Sequence, residues 1–527
     1  MSARMRGPGP GRPRRVRRGA GEVGRGSSGL RPVLLGVVVA LLLLGVGRID
    51  APVRLPGSHS AGEAPTAAQP ATDTAAVSST VMACPGPELQ GLGEARVAEQ
   101  VQFVTILARS APPEALDPDL ATYLGQPATQ ADGELRVVPT RTTPAAAQQS
   151  RADGLEVELS GAEGAVVQAR GALASGVAAT QTHLSLREQG RGLEVTSCLP
   201  PAAESWLLGG GSQAGRLERL VLVNPGADPV TATIRVLGGD GPPEPEEGST
   251  VVVPGGQRVV ELVDALASER STPVVHVTTE QGSVAAFLGD RWLQGSTDQG
   301  MELTTPSAAP ATDQLVPGVV RAPRGRAQLR VAVPGSEQAV VQVRALSAEG
   351  PVRVQQEVTL VPGGRSQDVE ITDLPPGRYA LQVTSDVEVV VAGTAQTAAG
   401  EQGARGLAWS PATTPVQGVA GLVLPSGQGR PEAVLQLAAL EPSSAEVVTV
   451  DGQGVVRVQR VQMSGPGTAE VALGETIDSV WVRPVTGEVH AAVVLQVSDP
   501  VGDLVGVAAL TGLPVLRPVT SVEPLRP

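Results

Sequence analysis

A set of short anchors recurs along the chain in a fixed order, at intervals of 106 to 109 residues. Gly192-Leu193-Glu194-Val195-Thr196 returns as Gly300-Met301-Glu302-Leu303-Thr304, and more loosely as Gly406-Leu407-Ala408-Trp409-Ser410. Val253-Pro254-Gly255-Gly256 matches Val361-Pro362-Gly363-Gly364, and Val177-Ala178-Ala179 matches Val284-Ala285-Ala286. Asn224-Pro225-Gly226, Val333-Pro334-Gly335 and Glu441-Pro442-Ser443 keep the same spacing. Any one match is weak in a chain rich in glycine and valine, but a shared order and offset is not chance. Such a period marks one structural unit used several times. Counted from Cys84, the chain divides into about four units, 84–208, 209–318, 319–425 and 426–527, the last with the least regular match.

Within a unit the pattern has period two. Tyr379-Ala380-Leu381-Gln382-Val383-Thr384 places apolar residues at alternate positions, as a half-buried strand requires. Turn signals such as Asp240-Gly241, Pro254-Gly255-Gly256, Pro375-Pro376-Gly377 and Asp451-Gly452 separate these runs. Only 2 Phe, 4 Trp and 2 Tyr stand against 64 Gly and 46 Pro, which disfavours large helical cores. The expected class is all-β, with tandem immunoglobulin-like β-sandwich repeats of about seven strands each, after one N-terminal transmembrane helix. A four-bladed propeller is the second choice, since a blade needs only about 45 residues. Four sandwiches in tandem predict an elongated particle.

The residues before the repeats are of another kind. Residues 1–31 hold nine Arg and one Glu, and the chain contains no Lys. An uncharged run, 32–47, follows and includes VLLGVVVALLLLGVG. As a helix it would span roughly 24 Å against a hydrocarbon core of about 30 Å, a gap that Arg31 and Arg48 could cover by snorkelling. The expectation is a basic cytoplasmic tail at 1–31 and a transmembrane anchor at 32–49, with the bulk extracytoplasmic by the positive-inside rule. A cleaved signal peptide is the rival reading and exports the same residues. Residues 50–83, rich in Ala, Pro, Ser and Thr, read as a linker. Both cysteines, Cys84 and Cys198, then lie outside the cytoplasm, where a disulfide between them can persist.

Several chemistries are excluded. Without lysine there is no Walker loop, Schiff-base lysine or Ser-x-x-Lys nucleophile. The chain's net charge is −13 and residues 1–31 contribute +8, which leaves −21 on the rest and makes nucleic acid an improbable partner. His59, His183, His276 and His490 are scattered without ligand spacing, so no metal or other cofactor is expected. Gly209-Gly210-Gly211-Ser212-Gln213-Ala214 fits G-x-G-x-x-A and narrowly misses G-x-S-x-G. A strand pattern follows it where either motif needs a helix, so it reads as a turn between units. Asp117-Pro118-Asp119 and Glu244-Pro245-Glu246-Glu247 read as solvated loop acids, and no catalytic residue is nominated. Trp481 is out of register with Val480 and Val482, and Trp206 lies near a unit end. These two tryptophans are the candidate partner surface, for an envelope protein or a glycan.

Trp206-Leu207-Leu208-Gly209-Gly210, followed by Asn224-Pro225-Gly226, resembles the W-x-x-x-G…N-P-G opening of repeats in actinobacterial surface proteins. The layout of basic tail, single apolar segment, linker and Val/Gly-rich bulk resembles an uncharacterised actinobacterial family of membrane-anchored exported proteins, domain of unknown function 5719. That resemblance implies an envelope location and supplies no catalytic residues. The expected role is non-catalytic: a scaffold, spacer or binding module. An accessory subunit of envelope polysaccharide assembly is the alternative, and a cryptic hydrolase stands behind both.

Overall fold

A computed structural model describes residues 73–87 and, apart from short internal segments, 103–519. The tail expected at 1–31 and the anchor expected at 32–49 lie outside the described residues. Among those described, no helix is long and apolar enough to cross a membrane. Among the described residues regular structure is almost entirely strand, and Val263–Leu266 is a short α-helix of four residues.

Four copies of one topology follow each other along the chain, over residues 79–197, 204–304, 311–411 and 420–510. In each, the first, sixth, third and fourth strands form one sheet in that order, and the fifth, second, seventh and eighth form another. The third copy fuses its sixth and seventh strands into the twenty-residue strand Gly377–Gln396, which serves both sheets, and it splits its fourth strand in two. Strand formation follows the period-two pattern. Leu155–Ser160 alternates buried Leu, Val and Leu with exposed Glu, Glu and Ser, and Ala339–Ser347 starts the same way. The repeated Pro-Gly-Gly turns have a packing reason. Gly256 and Gly364, at φ of 66° and 68°, donate their N–H groups to Gly226 and Gly335 of the preceding loop. A side chain on Gly255 or Gly363 would strike that loop's backbone.

Several expectations need correction. Each unit has eight strands rather than about seven, and the fourth unit, loosest in sequence, keeps the same topology. The expected cuts at 208/209, 318/319 and 425/426 fall too late. Glu204–Leu208, Ala311–Arg321 and Ala420–Val423 are the first strands of the units that follow. Gly209-Gly210-Gly211 is therefore a loop inside the second unit and not a turn between units. The linker expected at 50–83 ends in structure as well, since Asp73–Ala76 and Ser79–Cys84 are strands.

Nor do the units form an extended array. Their eighth strands pack in a cycle: Gly192–Ser197 against Thr297–Thr304, then Leu407–Pro411, then Leu504–Leu510, which returns to Gly192–Ser197. The recurring glycine explains how the strands approach so closely. A Cβ on Gly192 would lie 2.1 Å from Met301 Cγ, one on Gly300 2.3 Å from Leu407 Cβ, and one on Gly406 2.9 Å from Leu504 Cα. Gly506 gives room to Leu193 and completes the circuit. Apolar clusters fill the junctions. Val221, Val223 and Phe287 meet Ala83 between the first and second units, and Val505 and Val507 meet Val320 and Ala395 between the third and fourth. Val448 and Trp481 of the fourth unit join the core of the first. The ring is closed where Asp73–Ala76 pairs antiparallel with Leu516–Val519. A disulfide joins Cys84, at the end of the first unit's first strand, to Cys198, just after its eighth. Closing a loop of this length stabilises by up to about 4–5 kcal/mol on the loop-entropy argument.

Candidate functional site

Neither tryptophan nominated from sequence presents a surface. Trp481 is 0% exposed and sits with first-unit residues, whereas Val480 and Val482 fill the fourth unit's own core. The alternation was read correctly, but a neighbouring unit covers the second face of the sheet. Trp206 is 6% exposed and packs with Val390, Ala392 and Trp409 of the third unit. Its ring stacks on His276 at 3.7 Å, and both rings bond the Glu204 carboxylate.

The polar chemistry gathers instead between the second and third units. On the second unit, Arg216 and Glu218 alternate along Arg216–Val223 and face Trp292 and Asp290 on Ala285–Gln294. They continue the core-facing side of the sheet past the last apolar residue, Leu220, and so crown the end of the sandwich. On the third unit, Arg326, Gln328 and Arg330 alternate on the side of Arg326–Ala332 away from core residues Ala327, Leu329 and Val331. Gln396 and Thr394 lie beside them on Gly377–Gln396, with Leu407 and Trp409 on the next strand. Arg216 and Trp292 of the second unit and these third-unit side chains line a cavity of about 90 Å³.

Asp290 is the hub. Fully buried, it accepts hydrogen bonds from Arg216 Nε at 2.8 Å and Nη2 at 2.5 Å, from Trp409 Nε1 at 2.7 Å and from the Gly210 N–H at 3.0 Å. Burial alone would raise its carboxyl. The charge of Arg216 and the bonds from Arg216, Trp409 and Gly210 outweigh burial and hold it below the usual carboxylate range. Gly210 has φ of 80°, and a Cβ there would collide with Glu218 at 2.2 Å, so this close approach requires glycine. Glu218 accepts from the Gly211 N–H at 2.7 Å. Burial, followed by the nearby charge of Asp290, pushes its carboxyl up to about 7.

Arg330 locks the other side. Its guanidinium forks onto both oxygens of Asp368, at 2.7 and 2.9 Å, and donates to the carbonyls of Gly209, Gly210 and Pro273 on the second unit. It lies 4.8 Å from the Trp409 ring centre, in cation–π contact. A second buried acid pair, Glu194 and Glu302, occupies the same repeat position on neighbouring eighth strands. Burial and the charge of Glu194 lift the Glu302 carboxyl well above the ordinary range. Among the described residues no group of three or more His, Cys, Asp or Glu is placed to hold a metal ion. Of the loop acids, Asp117 is exposed, while Asp119 and residues 244–247 lie outside the described residues.

Four eight-stranded units of one topology, closed into a ring and locked at one junction by buried charges, define an all-β repeat protein. The chain belongs to the family of unknown function DUF5719, whose sequence pattern matches residues 146–474. That span runs from the first unit's fourth strand to the end of the fourth unit's fifth, and contains the whole junction site. No curated protein matches the chain. Among solved structures, the chain is 12% identical to the tetra-tandem repeat in the extending region of a large adhesion protein, over 72% of this chain and 91% of that one, with a TM-score of 0.10. It is 10% identical to Escherichia coli alpha-2-macroglobulin activated by porcine elastase, over 83% of this chain and 44% of that one, with a TM-score of 0.13. At these TM-scores neither likeness bears on fold or function.

Proposed function

We propose that this protein is a non-catalytic, membrane-anchored scaffold or binding module of the cell envelope, built from immunoglobulin-like sandwiches. Strand pairing supports the last point: the second strand pairs with the fifth and the third with the sixth, as B pairs with E and C with F in immunoglobulin domains. The edge strands differ, since the first lies beside the sixth. One observation carries the non-catalytic reading. The two central charges of the second–third junction are committed to holding units together, with all five Arg330 donors used and Asp290 taking four hydrogen bonds. A catalytic acid or base must instead reach a substrate.

The location rests on the sequence: nine arginines, then sixteen uncharged residues, then the acidic bulk. Fractionation of cells expressing the full chain tests it. The full chain should sediment with membranes and be digested by external protease after outer layers are removed. A chain lacking residues 1–49 should stay in the cytoplasm. Recovery of the full chain in the soluble cytoplasmic fraction would overturn the reading.

A further inference from the structure

The cavity between the second and third units keeps one positive charge unmatched. Three guanidiniums line it, those of Arg216, Arg326 and Arg330, against the single carboxylate of Asp368. Arg216 is held by Asp290 and Gln213, and Arg330 by Asp368 and three carbonyls. Arg326 is exposed and its guanidinium makes no hydrogen bond or ion pair with any described residue. Beside it the Thr394 hydroxyl and the Gln213 side-chain nitrogen also donate to no described residue. Free donors thus converge on a recess with an uncompensated guanidinium, in a chain whose net charge is −13.

The ligand chemistry follows from charge and size. Guanidinium plus neutral donors is the recognition set for an oxyanion, which accepts at every oxygen. A recess of about 90 Å³ is several times what a single water needs. It admits one carboxylate or phosphate group. Its mouth, where Arg326 is exposed, leaves the remainder of a larger ligand outside. The aromatic face of Trp292, with Arg216 5.6 Å from its ring centre, belongs to the same wall.

We propose that this recess binds a single oxyanion group, a carboxylate or phosphate carried on an acidic envelope polymer, with Arg326 as its forked partner. The polymer rests on the envelope reading above, whereas the oxyanion rests on the cavity alone. The full chain carries four tryptophans, so labelling with ¹⁵N-tryptophan gives four indole resonances, and Trp292→Phe identifies one of them. Sodium glucuronate, inorganic phosphate and glucose are titrated separately at constant ionic strength. A saturable shift of the Trp292 resonance is expected with at least one anion and none with glucose. Response to glucuronate alone assigns a carboxylate, and response to phosphate assigns a phosphate. Arg326→Gln should weaken binding about tenfold or more while Arg326→Lys retains part of it. The other three resonances report that the variants remain folded. Absence of a saturable shift with both anions, or equal affinity in Arg326→Gln, overturns the proposal. Neither result touches the fractionation experiment, so the two readings fail separately.

Discussion

Asp290 and Glu218 sit side by side in one buried cluster, and their environments push their carboxyls in opposite directions. Asp290 has a guanidinium and two other donors, whereas Glu218 has one backbone N–H at 2.7 Å and Arg216 only at 4.0 Å. With the folded-state value at about 7 against an ordinary 4.5, the folded chain holds an extra proton between those limits. Stability contributed by this group therefore falls as pH rises from about 4.5 to 7, and below 4.5 both states are protonated alike. Glu218→Gln keeps an acceptor for Gly211 and removes the charge. Its unfolding free energy should match the parent near pH 4 and exceed it at pH 8 by up to about 3 kcal/mol, as measured by denaturant titration. A difference independent of pH would show that the Glu218 carboxyl titrates alike in the folded and unfolded chain. Part of this site was legible: Asp290 and Arg291 interrupt the apolar run Ala285-Ala286-Phe287-Leu288-Gly289. Its partners were not, because Trp409 and Arg330 belong to another unit and no local spacing links them. Arg326, Gln328 and Arg330 alternate with apolar residues along their strand, and a packed neighbour leaves Arg330 only 2% exposed.

At the level of the element, the eighth strands decide how closely units can approach. A methyl at Gly192 would meet side-chain atoms only, Cγ and Sδ of Met301. At Gly300 it would meet the backbone nitrogen of Leu407 at 2.6 Å, from a residue whose φ of 119° already disfavours a side chain. Gly300→Ala should therefore lower the unfolding free energy by more than about 2 kcal/mol, and Gly192→Ala by less, in parallel denaturant titrations. Equal losses would mean that Leu407 yields as readily as Met301. Strands and turns were readable because alternation and Pro-Gly-Gly turns act locally. The first strand of the second unit, Glu204–Leu208, was placed in the first because the glycine run that follows it looks like a boundary whether it joins strands or domains. Which outer faces are covered depends on residues hundreds of positions away, and so Trp481 looked like a surface residue.

For the whole molecule, the decisive fact is that the fourth unit packs on the first. Internal repetition fixes the unit but not the angle between successive units, and a rod and a ring have the same period. The junction is an apolar contact in which Val448, 0% exposed, meets the core of the first unit. Small-angle scattering from the full chain should report a compact folded part. Val448→Arg should open the ring and lengthen the particle while the far-ultraviolet circular dichroism stays that of intact sheets, since each unit keeps its own core. A loss of sheet signal together with expansion would mean that the units do not stand alone. The pairing of Asp73–Ala76 with Leu516–Val519 has another consequence. A short loop joining those strands, with a new opening between Thr304 and Ala311, would spell the same ring from a circularly permuted sequence. Which unit comes first along the chain is then set by where the circle is cut, and the set of neighbours around it is the same from any starting point.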